Sequence, residues 1–250
     1  MTGIARQITL GLATVLTLVM NYLSNALPLF GNTNGGISDS LPNAFTPAGL
    51  TFAVWGPIFL GLAVFAVYQA LPAQRGPRYD RLFWPFLLGN LLNVVWLFAF
   101  QSLNFGLSVV IMLLLLGALI SLYLTVRGLH PMSGEFWALQ IPASLYLAWI
   151  SVATMANITA FLVSQGVTGG VLGIGAQLWA ALLVVIAGLV GTFFLLRYRD
   201  YAFAAVLLWA FLGVYLARPD TLLVAVGVIV SAVLVVLAGL RAMRQGRMAL

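Results

Sequence analysis

The chain has 250 residues, 63% of them hydrophobic and only 6% charged, with a mean hydropathy of +1.10; soluble domains carry charge on about a quarter of their residues, so a water-soluble globular domain is excluded and a polytopic membrane protein is predicted. The net charge of +6 arises from eleven arginines, no lysine and five acids, and no basic run is interleaved with aromatics, so no nucleic-acid partner is expected. With no cysteine and the single histidine His130, the sequence excludes disulfides, thiol catalysis and thiolate metal sites, and it has too few members for a His-based metal site or a Ser-His-Asp triad.

Apolar stretches interrupted by Gly, Pro, Asn and charge predict spans near 7–27, 49–71, 83–103, 106–126, 136–158, 170–196, 201–217 and 221–241. Spanning segments must satisfy their own backbone polar groups, and no ten-residue alternation suggests a barrel, so the predicted fold is an all-α transmembrane bundle of about eight helices. The first stretch is longer than the apolar region of a signal peptide and is read as an uncleaved helix. Between the first two spans, residues 28–48 form the only long loop; its Gly31-Asn-Thr-Asn-Gly-Gly36 stretch favours turns over regular structure, and a lid or a mobile linker fits equally. The seventh span is the shortest, with about 17 residues before Arg218-Pro219-Asp220.

If the spans alternate across the bilayer, Arg6, Arg75, Arg78, Arg81, Arg127, Arg197, Arg199, Arg241, Arg244 and Arg247 fall on one side and Arg218 alone on the other. The positive-inside rule then predicts cytoplasmic N- and C-termini and an external 28–48 loop, in a bacterial inner membrane. Arg6 precedes the first predicted span. The five acids, Asp39, Asp80, Glu135, Asp200 and Asp220, fall in loops or at span ends, and no ionisable residue lies inside a span. Ion-coupled carriers and proton relays usually place such groups at membrane depth, so this pattern argues against a proton-driven pump.

Neutral polar and aromatic residues instead recur at helical spacing. Pro47 suits the first turn of a helix, and Phe52, Trp55 and Phe59 follow at i, i+3 and i+7 along one face. Gly89, Asn93, Trp96 and Phe100 share a face of the third span, and Tyr146, Trp149, Ala153 and Asn157 share one of the fifth. The asparagines can bond between helices, and the tryptophans can either pack or offer flat apolar faces to a planar ligand.

Three of these segments together resemble the tryptophan-rich sensory protein family, also called the translocator protein or peripheral benzodiazepine receptor family. The pattern before its second helix is matched by Pro47, Phe52, Val54-Trp55 and Ile58-Phe59, with Thr46 in place of a first proline and Phe59 in place of a tyrosine. Its third-helix motif appears as Leu92-Asn93-Val94-Val95-Trp96, with Gly89 where a glutamine is usual. The fifth-helix motif appears as Tyr146-Leu147-Ala148-Trp149, then Ala153 and Asn157. The resemblance implies a five-helix core over residues 1–166 whose pocket binds porphyrins, sterols and synthetic aromatic ligands, leaving residues 167–250 as a three-helix extension. It assigns Pro47, Phe52, Trp55, Phe59, Asn93, Trp96, Tyr146, Trp149, Ala153 and Asn157 to ligand binding.

The expected function is a membrane sensor or regulator that binds a hydrophobic planar ligand, tetrapyrrole or sterol-like. The alternatives are a transporter or channel for a small hydrophobic molecule and a light-dependent porphyrin-degrading protein. No catalytic residue, metal ligand or required cofactor is expected; porphyrin enters as ligand. Expected partners are that ligand and the lipid bilayer, with room for a homodimer.

Overall fold

A computed structural model describes residues 2–247, so the extreme C-terminus, predicted to be cytoplasmic, lies outside the described residues. Its principal helices are α1 (Gly3–Ala26), α2 (Asn34–Ser40), α3 (Trp55–Ala70), α4 (Phe83–Gln101), α5 (Phe105–Gly128), the single turn α6 (Ser133–Glu135), α7 (Ile141–Ser164), α8 (Ala176–Tyr198), α9 (Tyr201–Ala217) and α10 (Leu222–Arg247). Among the described residues seven helical segments are long and apolar enough to cross a membrane, and α9, with 17 residues, is the shorter apolar helix. At 1.5 Å per residue α9 covers about 25 Å, short of a hydrocarbon core of about 30 Å.

Several predicted boundaries move for local reasons. Helix α1 starts at Gly3, so Arg6 lies inside its first turns and not ahead of it; the side chain is fully buried and donates to Asp80 at 2.9 Å. The loop expected to consist of turns holds a 3-10 turn (Leu29–Gly31) and α2. Thr33 Oγ1 accepts from the Gly36 N–H at 3.1 Å, an N-cap bond at the start of α2, and Ile37 is its buried anchor. Pro47 is not in the first turn of a helix: it precedes a 3-10 segment, Gly49–Val54, and α3 begins only at Trp55. The sixth span begins at Ala176, not 170, because Gly170–Val171 (β1) and Ile174–Gly175 (β2) pair as a small antiparallel hairpin whose Gly170 and Gly173 adopt φ of 120° and 76°.

Two compact units divide the chain: residues 1–40 with 55–150, and residues 41–54 with 151–250. In the first, α4 is central, packed by α1 and α5, while α3 lies against α1 and against a π-helical stretch, Phe136–Gln140. That stretch precedes Pro142, which has no N–H to offer the preceding turn, and the Ile141 N–H bonds back to Phe136, five residues earlier. Phe65 of α3 stacks on Phe86 of α4 at 4.1 Å. Residues 28–40 are tied to the end of α4: Asn32 donates to the Gln101 carbonyl and Gln101 donates to Asn34 Oδ1, both at 3.0 Å.

In the second unit α8 packs along α10, and α9 lies against both. Lipid is as apolar as leucine, so helices associate here through close van der Waals fit, which small residues permit. Gly188 meets Ser231, and the Ser231 hydroxyl donates to the carbonyls of Val184 (3.1 Å) and Gly227 (2.7 Å). The 41–54 segment rests on α9: the Ala48 N–H donates to Gly213 O (3.0 Å), Trp209 Nε1 to Thr51 O (2.9 Å), and Arg218 to Asn43 O (2.7 Å).

Candidate functional site

The site is built in the first unit from the start of α3 and one face of α7. A helix repeats every 3.6 residues, so Trp55 and Phe59 sit one turn apart, and their rings stack at 5.1 Å with an interplanar angle of 21°. Tyr146 and Trp149, at i and i+3 on α7, meet the Trp55 ring edge-on at 6.0 Å and 6.3 Å. Offset and edge-to-face pairs of this kind are worth about 0.5–1.5 kcal/mol beyond burial. Tyr146 and Trp149 are buried; Trp55 and Phe59 are half-buried.

Below the rings runs a chain of neutral hydrogen bonds. Asn21 of α1 donates to Asn93 Oδ1 of α4 at 2.7 Å, and the Asn93 amide also hydrogen-bonds the Tyr146 hydroxyl. That hydroxyl donates in turn to the Gly89 carbonyl at 3.4 Å. Thr17, one turn before Asn21, donates to Asn90 O at 3.1 Å. Burial removes water as a competing partner, so such a chain fixes the relative positions of α1, α4 and α7.

An open groove of about 480 Å³ adjoins both features, lined by Leu18, Asn21, Tyr22, Asn25 and Ala26 of α1 and by Phe59 of α3. Phe59 is thus shared between groove and ring cluster, and Asn21 between groove and hydrogen-bond chain. The arrangement offers aromatic faces and neutral amides, which suit stacking and hydrogen bonding to a planar apolar molecule. Among the described residues no group of three or more His, Asp or Glu side chains converges to hold a metal.

Of the residues predicted from sequence, Trp55, Phe59, Tyr146 and Trp149 come together by ring contact, and Asn93 joins through the Tyr146 hydroxyl. Trp96 stacks on Phe100 at 4.9 Å, and Phe100 meets Phe105 of α5. Pro47, Phe52, Ala153 and Asn157 belong to the second unit: Pro47 and Asn157 are buried there, and Phe52 lies in the 3-10 segment. No residue of α1 is among those predicted, yet α1 lines the groove and joins the hydrogen-bond chain. Its signal is Thr14, Thr17, Asn21 and Ser24, a polar stripe at intervals of three and four along an otherwise apolar helix, all four buried.

A family model described as TSPO-like protein matches residues 7–241 and so takes in the helices that follow residue 166. No curated protein and no solved structure matches the chain.

Proposed function

We propose, since the chain belongs to the TSPO-like protein family, that it is a membrane sensor or regulator binding a hydrophobic planar ligand, a tetrapyrrole or a sterol-like molecule, at the aromatic cluster of α3 and α7. The observation that carries this reading is Phe59, which stacks on Trp55 within the cluster and also lines the groove beside α1. A planar ligand lying in that groove finds an aromatic edge and the Asn21 and Asn25 amides as polar partners. The groove's volume of about 480 Å³ falls in the range of small-molecule sites. Ten arginines on one side of the predicted spans and Arg218 alone on the other support cytoplasmic termini in a bacterial inner membrane.

Protoporphyrin titrated into the full-length protein in detergent is expected to quench tryptophan fluorescence saturably. Trp149→Phe keeps an aromatic ring and avoids a large void, but weakens the edge contact to Trp55 that backs Phe59; at about 1 kcal/mol for such a contact, binding should weaken by up to about fivefold. Phe59→Ala should weaken it further, because groove and cluster lose the same ring. Unchanged affinity in Trp55→Phe, Trp149→Phe and Phe59→Ala would show that these rings only pack.

A further inference from the structure

At the end of the first unit that holds Arg6, a second groove of about 350 Å³ is lined by Pro77, Arg78, Arg81, Gly128 and Leu129. We infer that this groove binds the phosphate of an anionic lipid headgroup, through the guanidinium groups of Arg78 and Arg81. The inference is independent of the aromatic cluster and of the ligand proposed for it.

Local charge accounts for the chemistry. Asp80 and Glu135 are the acids around the groove, and each is engaged by an arginine: Arg6 reaches Asp80 at 2.9 Å and Arg78 reaches Glu135 at 2.7 Å. Arg75 and Arg81 have no carboxylate partner among the described residues, leaving this end of the unit positive. Arg78 is also pre-positioned. One of its terminal nitrogens donates to both Glu135 and the Leu129 carbonyl (2.8 Å), while Glu135 is itself held by the Tyr79 hydroxyl (2.5 Å) and the Met132 N–H (3.1 Å). The guanidinium is therefore clamped at one nitrogen, while its side chain remains 44% exposed. An arginine fixed in this way loses little freedom when it binds a phosphate through a fork of N–H groups.

The surroundings point to a lipid as the source of that phosphate. Trp84, one helical turn beyond Arg81, is 64% exposed, and Trp137, two residues beyond Glu135, is 68% exposed. Exposed tryptophans on apolar helices mark headgroup depth. Arginines grouped beside such residues between transmembrane helices suit anionic headgroups, at about 1 kcal/mol for each arginine.

The test is native mass spectrometry of the full-length detergent-solubilised protein, titrated with phosphatidylglycerol or with phosphatidylcholine of matched chains. Wild type should retain phosphatidylglycerol preferentially, Arg81→Gln should lose about fivefold of that affinity, and Arg78→Gln/Arg81→Gln should remove the preference. Arg81 has no ion-pair partner among the described residues, so Arg81→Gln is expected to fold and keeps the test decisive if the Arg78 variant does not. Arg197→Gln, on a different helix, should bind as wild type. Equal retention of the two lipids by wild type, or undiminished preference in Arg81→Gln, would overturn the proposal. Displacement of phosphatidylglycerol by inorganic phosphate at sub-millimolar concentration would equally overturn it, assigning the groove to a free anion.

Discussion

At Gly213, a Cβ would lie 1.9 Å from Thr51 Oγ1 and 2.8 Å from Thr51 Cβ. The absent side chain lets the 3-10 segment 49–54 approach α9 closely enough for the Ala48 N–H to reach the Gly213 carbonyl at 3.0 Å. Neither group can move away without breaking that bond, so Gly213→Ala should destabilise the detergent-solubilised protein by about 1–3 kcal/mol, the usual cost of overpacking. Thermal unfolding followed by circular dichroism would measure this. Gly117→Ala, at a helical site with nothing within 4 Å, should be neutral or slightly stabilising, as expected from helix propensity. Combining Gly213→Ala with Thr51→Ala removes the hydroxyl from the clash and should recover part of the loss; no recovery would place the strain elsewhere.

Helix α8 is apolar almost throughout, and its packing against α10 depends on residues that are small, not residues that are hydrophobic. At Gly188 a Cβ would stand 2.7 Å from Ser231 Cβ and 3.0 Å from Ser231 Cα, so the backbone of α10 would have to retreat. Gly188→Val is therefore expected to lengthen the α8 to α10 separation and break the Ser231 bond to Val184 O, now 3.1 Å. A disulfide scan is a direct readout: cysteine pairs placed across the α8 and α10 contact in this cysteine-free chain should crosslink readily in the parent and poorly in the Gly188→Val background. Equal crosslinking would show that the helices do not pack as described. The hydrophobic pattern of α8 cannot distinguish its lipid-facing side from its α10-facing side, because both are aliphatic.

For the whole molecule, two expectations concern topology and the integrity of the second unit. Reporter fusions after residue 75 and at the C-terminus should read as cytoplasmic, and one within residues 31–43 as external, because ten of eleven arginines fall on one side of the predicted spans. A cytoplasmic signal from the 31–43 fusion would sink that orientation. Truncation after Thr168 would remove Trp209, Gly213 and Arg218, which hold residues 41–54 through Thr51, Ala48 and Asn43. Hydrogen exchange across residues 41–54 should therefore rise steeply in the truncated chain. Unchanged protection there would mean that the segment is held by contacts other than those to α9.

Much was determined by sequence alone. Hydropathy and helical spacing placed the apolar helices, with ends that differ by up to about six residues at α3, α7 and α8, since a bilayer demands about 20 apolar residues for each helix and no other structure satisfies the backbone in lipid. The spacings of Trp55 with Phe59 and of Tyr146 with Trp149 put each pair on one helix face, because i, i+3 and i, i+4 neighbours always share a face. Only the tertiary structure decided that these two faces meet, that Asn21 of α1 supports them through Asn93, and that Arg6 and Glu135 are buried with partners distant in sequence. It also decided that the 28–40 loop carries a helix tied to Gln101. Which helix faces which is set by side-chain fit and by polar pairs across long sequence separations. In a chain whose helices are nearly all apolar, periodicity within one helix marks which face is polar but not which helix that face meets.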